Sequence, residues 1–556
     1  MEKIILGAAL GNCVHVAGVM HFLQLAEDEG YKSIFMGPAV SISKLKEGIQ
    51  KYNPVMVGIS YRLTPENAKI LLDELMEKVN PEEFQNRIWV FGGTKPVADI
   101  AKEYGVFRFV SDGTDDIDDS VMFLRGKKGQ NDEIKYADNL IDRIHEKHPY
   151  PLLRHHFGRP DYEETLEGIQ MIAESKVLDV ISLGPDQNTQ QYFFRRNAQK
   201  KEFNGAGGVP IRTEEDFFKL KENSKRGNFP LMRCYSGTSD VIRFADMLRR
   251  TIDNAWCAVP LCWYNELDGR GTRTIEQSVR DAQELIKWHA QKDLPVEVNE
   301  PHHWALRDAH DVMSVVMAYI SAYNAKQLGV KNYISQYMFN VPNALTFSMD
   351  LGRISAMLEM VESLHDKNFK TYRQVRAGLP FLCSDMDIAK GQLAASTYLS
   401  MSIHPHIIHV VGYCEAVHAA SAQEVIESCK IVRGVIRSTL RGGIDAVHNA
   451  DVIKRKNELL EEASYLLEFI KKRYADYEEP LANPDVLADC VKKGILDAPH
   501  ILKNSKFTGN LETKIVDGKC VAYSRQLQRE ITEQERMKFL LGQGEKKCRQ
   551  EIKKLA

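Results

Sequence analysis

Lys3-Ile4-Ile5-Leu6-Gly7-Ala8-Ala9-Leu10-Gly11-Asn12-Cys13-Val14-His15-Val16-Ala17-Gly18 joins an apolar run to a short turn and then to a segment with helical spacing of its apolar residues. The apolar run predicts a β-strand, and the segment after the turn predicts an α-helix. A strand, a loop and a helix in this order are typical of a parallel α/β sheet, which binds its ligands at the carboxyl edge of the strands. We therefore expect the imidazole of His15 to lie at that edge.

The same alternation of strand and helix continues through residues 1–128. Helical patterns such as Ser43–Lys51 and Pro65–Val79 lie between apolar runs. The five predicted strands are Ile4–Leu10, Ser33–Met36, Val55–Ser60, Ile88–Phe91 and Arg108–Ser111. Strands that alternate with helices predict a doubly wound parallel sheet. We expect this segment to be an α/β domain of the Rossmann-like, or flavodoxin-like, kind.

Three loops of this domain together resemble those of cobalamin-binding domains, especially the small subunit of glutamate mutase. His15 and Gly18 have the spacing of the Asp-x-His-x-x-Gly signature of that family. A serine, Ser60, ends the third predicted strand, and a pair of glycines follows the fourth. The resemblance implies that His15 is the lower axial ligand of cobalt and that Ser60 binds the nucleotide tail of the cofactor. The cofactor-binding residues that it implies are His15, Gly18, Cys13, Ser60, Arg62, Gly92 and Gly93.

The sequence departs from the family at Cys13, which stands where the family has an aspartate. In the family that aspartate accepts the other imidazole N–H and so raises the basicity of the ligand. A thiol is a poor substitute, and Asn12 or a backbone carbonyl could take its place. The alternative interpretation is a flavodoxin-like domain in which His15 is an ordinary loop residue.

A second, longer α/β segment is predicted over residues 151–450, after a linker over 129–150. Its helical patterns include Tyr162–Ser175 and Ala422–Leu440. The eight predicted strands are Leu152–His156, Leu178–Leu183, Leu231–Tyr235, Ala255–Trp263, Val296–Asn299, Asn332–Tyr337, Thr371–Arg376 and Ile407–Val411. Eight strand–helix units over about 250 to 300 residues predict a (β/α)8 TIM barrel, with its active site at the carboxyl ends of the strands.

Polar and aromatic residues follow most of these predicted strand ends, and they are the candidate active-site residues. The stretch around Arg233, with Gly237 and Thr238, resembles a substrate-binding arginine motif in the large subunit of glutamate mutase. Where that family has Asn-Arg-Glu-Pro, this chain has Asn299 before Glu300, so one expected arginine is absent. We assign candidate catalytic roles to Glu300, Tyr264 and Arg233, and substrate-binding roles to Arg233, Asn299, Tyr264 and Gln187. The region after the second predicted strand also lacks an expected arginine. Tyr264, Arg270 and Arg273 could compensate for the missing arginines, or the substrate could carry one carboxylate.

The last segment, 451–556, is predicted to be an α+β extension. It contains a charged helical run over Asp451–Lys472, a hairpin turn at Asp517-Gly518 and a charged helical tail over Thr532–Lys554. It resembles the end of the large subunit of glutamate mutase. The whole chain thus resembles the two glutamate mutase subunits fused, the small one first. This implies an adenosylcobalamin-dependent radical isomerase, a carbon-skeleton mutase for a small carboxylate-bearing substrate.

Composition narrows the possible partners of this chain. A formal net charge of −3 gives no basic footprint, so we expect no nucleic-acid partner. No apolar run reaches the roughly 18 residues that span a bilayer, and the first ten residues lack the features of a signal peptide. The ten cysteines show no C-x-x-C pair and predict reduced thiols. We expect a cytoplasmic enzyme that forms a homodimer and binds no membrane.

Two other functional classes remain open. A corrinoid-dependent methyltransferase would also combine a cobalamin domain with a barrel, but such proteins usually carry a helical bundle that this chain lacks. A non-catalytic cobalamin-binding protein would not need the polar barrel. The adjacent His302 and His303 beside Glu300 do not have the i, i+4 spacing of metal ligands on a helix. The sequence therefore does not predict a catalytic metal other than cobalt.

Overall fold

The structure is a computed structural model that describes residues 3–113, 117–126, 136–235, 237, 239–503, 507 and 511–542. The chain divides into two compact units, Met1–Lys135 and Tyr136–Ala556. The described strands of the first unit are β1 (Ile4–Ala9), β2 (Lys32–Phe35), β3 (Met56–Tyr61), β4 (Ile88–Gly93) and β5 (Phe109–Ser111). Its described helices are α1 (Ala17–Asp28), α2 (Ile42–Tyr52), α3 (Pro65–Lys78), α4 (Pro81–Asn86), α5 (Lys95–Glu103) and α6 (Ile117–Leu124).

The first unit has the parallel sheet that the sequence predicts. Its strand order is β2-β1-β3-β4-β5, and all neighbouring strands are parallel. Alternate residues of the strands face two separate hydrophobic cores, one containing Leu6 and Val57 and the other Ile5 and Met56. This is the doubly wound order whose switch point, where ligands bind, lies between β1 and β3. The loops after β1 and β3 therefore meet at the ligand-binding edge.

The second unit contains the predicted eight-stranded barrel. Its strands are β6 (Leu152–Phe157), β7 (Val180–Leu183), β8 (Leu231–Cys234), β9 (Cys257–Val259), β10 (Val296–Val298), β11 (Asn332–Phe339), β12 (Lys370–Ala377) and β13 (Ile407–His409). The helices up to the last barrel helix are α7 (Leu140–Lys147), α8 (Tyr162–Ser175), α9 (Gln187–Tyr192), α10 (Glu214–Ser224), α11 (Val241–Ile252), α12 (Ile275–Ala290), α13 (Glu300–Ala305), α14 (Asp311–Gln327), α15 (Phe347–Glu362), α16 (Met386–Met401) and α17 (Ala422–Leu440).

The barrel is parallel and nearly closed. The strand order β8-β7-β6-β13-β12-β11-β10-β9 leaves one gap, between β8 and β9. Two hydrogen bonds bridge it, because Ala255 N donates to Met232 O at 2.9 Å and Cys234 N donates to the side chain of Asn254 at 2.8 Å. The fourth predicted strand, Ala255–Trp263, is shorter in the structure, where it is β9. The amides of Leu261 and Cys262 donate hydrogen bonds to the side chain of Glu300 instead of to a neighbouring strand.

Helix α7 falls within the predicted linker 129–150 and packs on the second unit. Leu140 and Ile144 join a hydrophobic cluster with residues that begin the barrel strands, including Leu152 and Leu231. Arg143, which is buried, donates hydrogen bonds to the carbonyls of residues 228 and 229. The helix therefore covers the amino-terminal end of the barrel. Residues 127–135 lie outside the described part, and the predicted domain limits stay predictions.

The described part of the C-terminal segment consists of α18 (Ala450–Arg473), α19 (Pro484–Lys492), β14 (Thr513–Val516), β15 (Lys519–Ser524), β16 (Arg529–Glu530) and a helix over 533–542. Helix α18 packs on α14 and α15. Asp517 and Gly518 form the predicted hairpin turn, both with positive φ, 48° and 76°. The rest of the predicted tail helix lies outside the described residues. None of the described helices is long and apolar enough to cross a membrane.

Candidate functional site

A cavity of about 680 Å³ lies at the carboxyl edge of the first unit's sheet. Six of the seven residues that the sequence assigns to cofactor binding line it, and they come from three separate segments of the chain, at 15–18, 60–62 and 92–93. These six are His15, Gly18, Ser60, Arg62, Gly92 and Gly93. The seventh, Cys13, is buried and is not among the residues that line the cavity. The structure thus brings together residues that are up to 78 positions apart in the chain.

The loop that carries His15 is held in place by hydrogen bonds, while the imidazole itself is exposed. Leu10 N donates to Ser60 O at 3.0 Å, and the hydroxyl of Tyr61 donates to the side chain of Asn12 at 3.0 Å. Among the described residues no hydrogen bond between Asn12 and His15 is recorded. Cys13 Sγ instead lies 3.9 Å from His15 Nδ1, in the place where the cobalamin family has its aspartate. The other ring nitrogen, Nε2, is left for a ligand.

Two features of the cavity indicate a ligand rather than a packed interior. Ser60 is only 4% exposed, and its buried hydroxyl has no hydrogen-bond partner among the described residues. A buried hydroxyl without a partner costs about 1–3 kcal/mol, so such groups are normally satisfied. Gly18 faces open space, since a Cβ atom built there meets nothing within 4 Å. The space beside Gly18 and the orphan oxygen of Ser60 fit a ligand that accepts or donates a hydrogen bond inside the cavity.

The interior of the barrel has an unusual second layer. The first layer, at the amino ends of the strands, is largely apolar. The second layer lies two residues after the first along six of the strands and on the same inward face. All six of its side chains are polar and buried. They are Arg154, Ser182, Arg233, Gln336, Gln374 and His409. TIM barrels usually fill such layers with branched apolar side chains. A polar layer at this position therefore points to a binding site within the barrel.

Two arginines form the centre of this layer. Arg154 donates to Ser182 Oγ at 2.9 Å and contacts His409 Nδ1 at 2.6 Å. Arg233 lies 3.5 Å from the carboxylate of Glu297, which accepts a hydrogen bond from the indole of Trp256 at 2.8 Å. Several of their polar atoms have no partner among the described residues, namely Nε of both arginines and Oε1 of the glutamate. These atoms are free to bind a small polar ligand.

Arg376 adds a third positive charge near the same place. Burial, followed by the charge of Arg233, lowers the pKa of Arg154 well below its ordinary value, and Arg376 contributes to the same effect. Burial and these arginines also lower the pKa of His156 and His409, so both imidazoles are neutral at pH 7. Glu297 is the buried carboxylate that pairs with the cluster. The local charge favours an anionic ligand.

The remaining predicted residues lie at different depths. Asn299 is buried inside the barrel, and its Oδ1 has no partner among the described residues. Tyr264 lies at the mouth, with its ring 5.2 Å from that of His303 and under the guanidinium of Arg270. Gln187 is exposed at the start of α9 and makes no contact with the polar layer that the structure records.

Glu300, the predicted catalytic acid, is fully buried in the wall of the barrel. Its Oε1 accepts hydrogen bonds from the amides of Leu261 and Cys262 at 2.5 and 2.7 Å, and its Oε2 accepts one from the indole of Trp304 at 2.8 Å. Burial raises the pKa of this carboxyl, although those bonds oppose the change. These contacts position the loop after β9, and the catalytic role remains a prediction.

The sequence places Arg154, Gln336 and Arg376 at predicted strand ends but assigns them no specific role. It does not single out Ser182, Glu297, Gln374 or His409. The signal was present as a period-two pattern, because an apolar residue is followed two positions later by a polar one in Leu152-x-Arg154, Ile334-x-Gln336 and Ile407-x-His409. Recognising it required knowing which face of each strand points inward.

Comparisons with known proteins give weak matches. A novel cobalamin-binding protein from Desulfitobacterium hafniense DCB-2 is 21% identical over 19% of this chain and 52% of its own, with a TM-score of 0.17. The cobalamin-dependent S-adenosylmethionine radical enzyme OxsB with aqua-cobalamin bound is 10% identical over 79% of this chain and 56% of its own, with a TM-score of 0.18. A third match is 2,3-dimethylmalate lyase, a member of the PEP mutase/isocitrate lyase superfamily. It is 9% identical, the match covers 60% of this chain and 96% of the lyase chain, and the TM-score is 0.27.

The chain spans about half the length of the two cobalamin proteins that it matches. TM-scores this low do not define a shared family. No protein-family model matches the sequence, and no curated protein does either.

Proposed function

We propose that this chain is a cobalamin-dependent radical isomerase, a glutamate-mutase-like carbon-skeleton mutase that acts on a small carboxylate-bearing substrate. The observation that carries the proposal is the first unit's cavity. Six residues chosen from the sequence for cobalamin binding line that cavity together, and the buried hydroxyl of Ser60 in it has no partner among the described residues.

The residues present fit the cofactor. His15 is exposed at the cavity and would supply the imidazole ligand through Nε2, because its Nδ1 faces Cys13. Ser60 would bond to the nucleotide tail, and Gly92 beside it leaves room for a close approach of the tail to the backbone. When bound, adenosylcobalamin supplies an organic radical by homolysis of its cobalt–carbon bond. The thiol of Cys13 is a weaker hydrogen-bond acceptor than the carboxylate that stands at this position in the family.

The polar layer of the barrel would hold the substrate. Arg233 and Arg154 offer unpartnered N–H groups to a carboxylate, and arginine recognises carboxylates through paired hydrogen bonds. Glu297 accepts from the indole of Trp256 and stays close to Arg233, which fixes the orientation of that guanidinium. Because the layer is buried, it excludes water from a bound substrate. Such exclusion suits radical chemistry, which side reactions with solvent would otherwise end.

The experiment that tests the proposal is a titration of the purified chain with adenosylcobalamin and, separately, with methylcobalamin, followed by optical absorbance. We expect the adenosyl form to bind and its spectrum to change to that of a histidine-ligated cofactor. After reduction to the cobalt(II) form, electron paramagnetic resonance should show splitting by one histidine nitrogen, and that splitting should change when the protein contains 15N-histidine.

The matched variants are His15→Ala and His21→Ala, since both histidines line the same cavity. His15→Ala should lose the nitrogen splitting, and His21→Ala should keep it. Preferential binding of the methyl form would favour the alternative function, a corrinoid-dependent methyltransferase. Absence of binding by both forms would refute a cobalamin enzyme of either kind.

A further inference from the structure

A second cluster of metal-ligating side chains lies in the barrel unit, where the chain leaves the last barrel strand. Cys414, His418 and Glu424 each offer one ligand atom, and the three atoms lie within 4.8 Å of one another. They belong to the turn after β13 and to the first turn of α17. This is the carboxyl end of the barrel, where TIM-barrel enzymes place their reactive groups.

The local structure explains why the three side chains converge. His418 N donates to Cys414 O at 3.0 Å, which closes one helical turn and places these side chains, four residues apart, on the same face. Glu424 is the third residue of α17, and it forms a capping box with Ser421. Both the backbone and the hydroxyl of Ser421 donate to Oε2 of Glu424, at 2.8 and 2.7 Å.

That capping box leaves the other carboxylate oxygen for a ligand. Oε1 of Glu424 faces the ring of His418, with Nε2 at 2.8 Å. The sulfur of Cys414 lies on the buried side of the cluster, and the imidazole is 48% exposed on the solvent side. A metal can therefore enter from solvent, and its carboxylate ligand is already oriented by a neighbouring hydrogen-bond donor, as metal-binding carboxylates generally are.

We propose that Cys414, His418 and Glu424 bind one Zn²⁺ ion. Zinc takes thiolate, imidazole and carboxylate ligands together, and three protein ligands leave a fourth position for water or a substrate atom. Binding through Nε2 replaces the His418–Glu424 hydrogen bond, moves the imidazole proton from Nε2 to Nδ1 and releases the thiol proton of Cys414 to solvent. The site does not depend on the proposed cobalamin function, because its residues lie in the second unit and none of them lines the first unit's cavity.

The test is a titration of the metal-free full chain with Co²⁺, which reports its ligands by absorbance. A thiolate ligand gives a sulfur-to-cobalt charge-transfer band, and four-coordinate geometry gives intense visible bands. We expect both bands to saturate at one equivalent of Co²⁺ and to disappear when Zn²⁺ is added. Absence of the charge-transfer band from the unaltered protein would overturn the proposal.

Variants assign the site to these residues. Cys414→Ser should abolish the charge-transfer band, but this thiol is buried and its loss could disturb folding. His418→Ala changes an exposed residue, so the variant should fold, and it should weaken Zn²⁺ affinity by about 100-fold. Ser421→Ala removes a hydrogen bond that orients the carboxylate of Glu424, and it should weaken the affinity by about 10-fold. The matched control is His448→Ala, because His448 is also an exposed histidine that is paired with a carboxylate, that of Asp445. Unchanged affinity in His418→Ala would refute the site.

Discussion

Glu533 forms a buried ionic contact between the C-terminal segment and the barrel. Its carboxylate accepts hydrogen bonds from Arg536 at 2.8 and 2.9 Å and lies 2.5 Å from Nε2 of His310, the residue that precedes α14. Arg536 also donates to the carbonyls of Gly494 and Ile495 at 2.8 and 2.7 Å. Both oxygens of the Glu533 carboxylate therefore have hydrogen-bond partners, and these contacts hold the helix over 533–542 in place.

The charge of Glu533 should stabilise this docking by about 3 kcal/mol at pH 7. Burial alone would raise the pKa of this carboxyl, but Arg536 and His310 outweigh it and lower the pKa from 4.5 to about 2. Each unit of such a shift corresponds to about 1.4 kcal/mol between the charged and neutral forms. A pKa that is lower in the folded state contributes stability above pH 4.5, and this stability is lost as the pH falls toward 2.

Glu533→Gln keeps the shape of the side chain and removes its charge. We expect amide hydrogen exchange in residues 533–542 to become about 100-fold less protected at pH 7, because 3 kcal/mol corresponds to about two factors of ten in the opening equilibrium. The measurement is exchange followed by mass spectrometry of the peptide that contains this helix. The difference between variant and unaltered protein should shrink as the pH is lowered through 4.

Glu535→Gln is the matched control, since Glu535 lies on the same helix and pairs with Arg529 at the surface. Exposed pairs contribute about 1 kcal/mol or less, so the control should change protection by about fivefold at most. If Glu533→Gln lowers protection no more than Glu535→Gln does, the reasoning about buried charge is wrong.

Three further predictions concern the candidate sites and the pH response. Ser60→Ala should weaken adenosylcobalamin binding by about fivefold, the value of one hydrogen bond, in a calorimetric titration; unchanged affinity would mean that the hydroxyl does not contact the cofactor. Arg233→Met should lower the free energy of unfolding by about 3–5 kcal/mol, because it leaves Glu297 buried without its partner, and adding Glu297→Gln should restore much of the loss in a denaturant titration. Burial lowers the pKa of His289 from its ordinary 6.5 to about 4, so the unfolded chain binds a proton here before the folded protein does. The free energy of unfolding should therefore fall as the pH is lowered from 6.5 to 4, and His289→Gln should reduce that pH dependence.

The fold could be predicted largely because apolar periodicity is a local property. All five strands of the first sheet and seven of the eight barrel strands begin and end within two residues of the limits that the apolar runs predict. The exception is the fourth barrel strand, whose predicted end at Trp263 is displaced to Val259. The cause is not local, because the amides of Leu261 and Cys262 bind Glu300, which is 38 residues or more away in the chain. No pattern within the strand itself indicates that contact.

The candidate sites were predictable only in part, for a related reason. The loops around His15, Ser60 and Gly92 were identified because a family resemblance supplied their grouping. The metal cluster was missed because its spacing is informative only once the turn after β13 and the capping box at Ser421 are known. The Cys414-x3-His418 spacing is visible in the sequence, but the third ligand depends on how α17 begins.

The unpartnered polar atoms give the strongest physical reason to expect ligands in both units. Buried polar groups are normally satisfied, and sequences depart from that rule mainly at functional sites. Among the described residues of the first unit the departure is Ser60, and in the barrel interior the departures include Arg154, Arg233, Glu297 and Asn299. A stable apolar barrel would need none of these four side chains. These unpartnered atoms, together with an excess of arginine charge over the single carboxylate of Glu297, support the proposal that the barrel binds an anionic ligand, whichever cofactor the first unit binds.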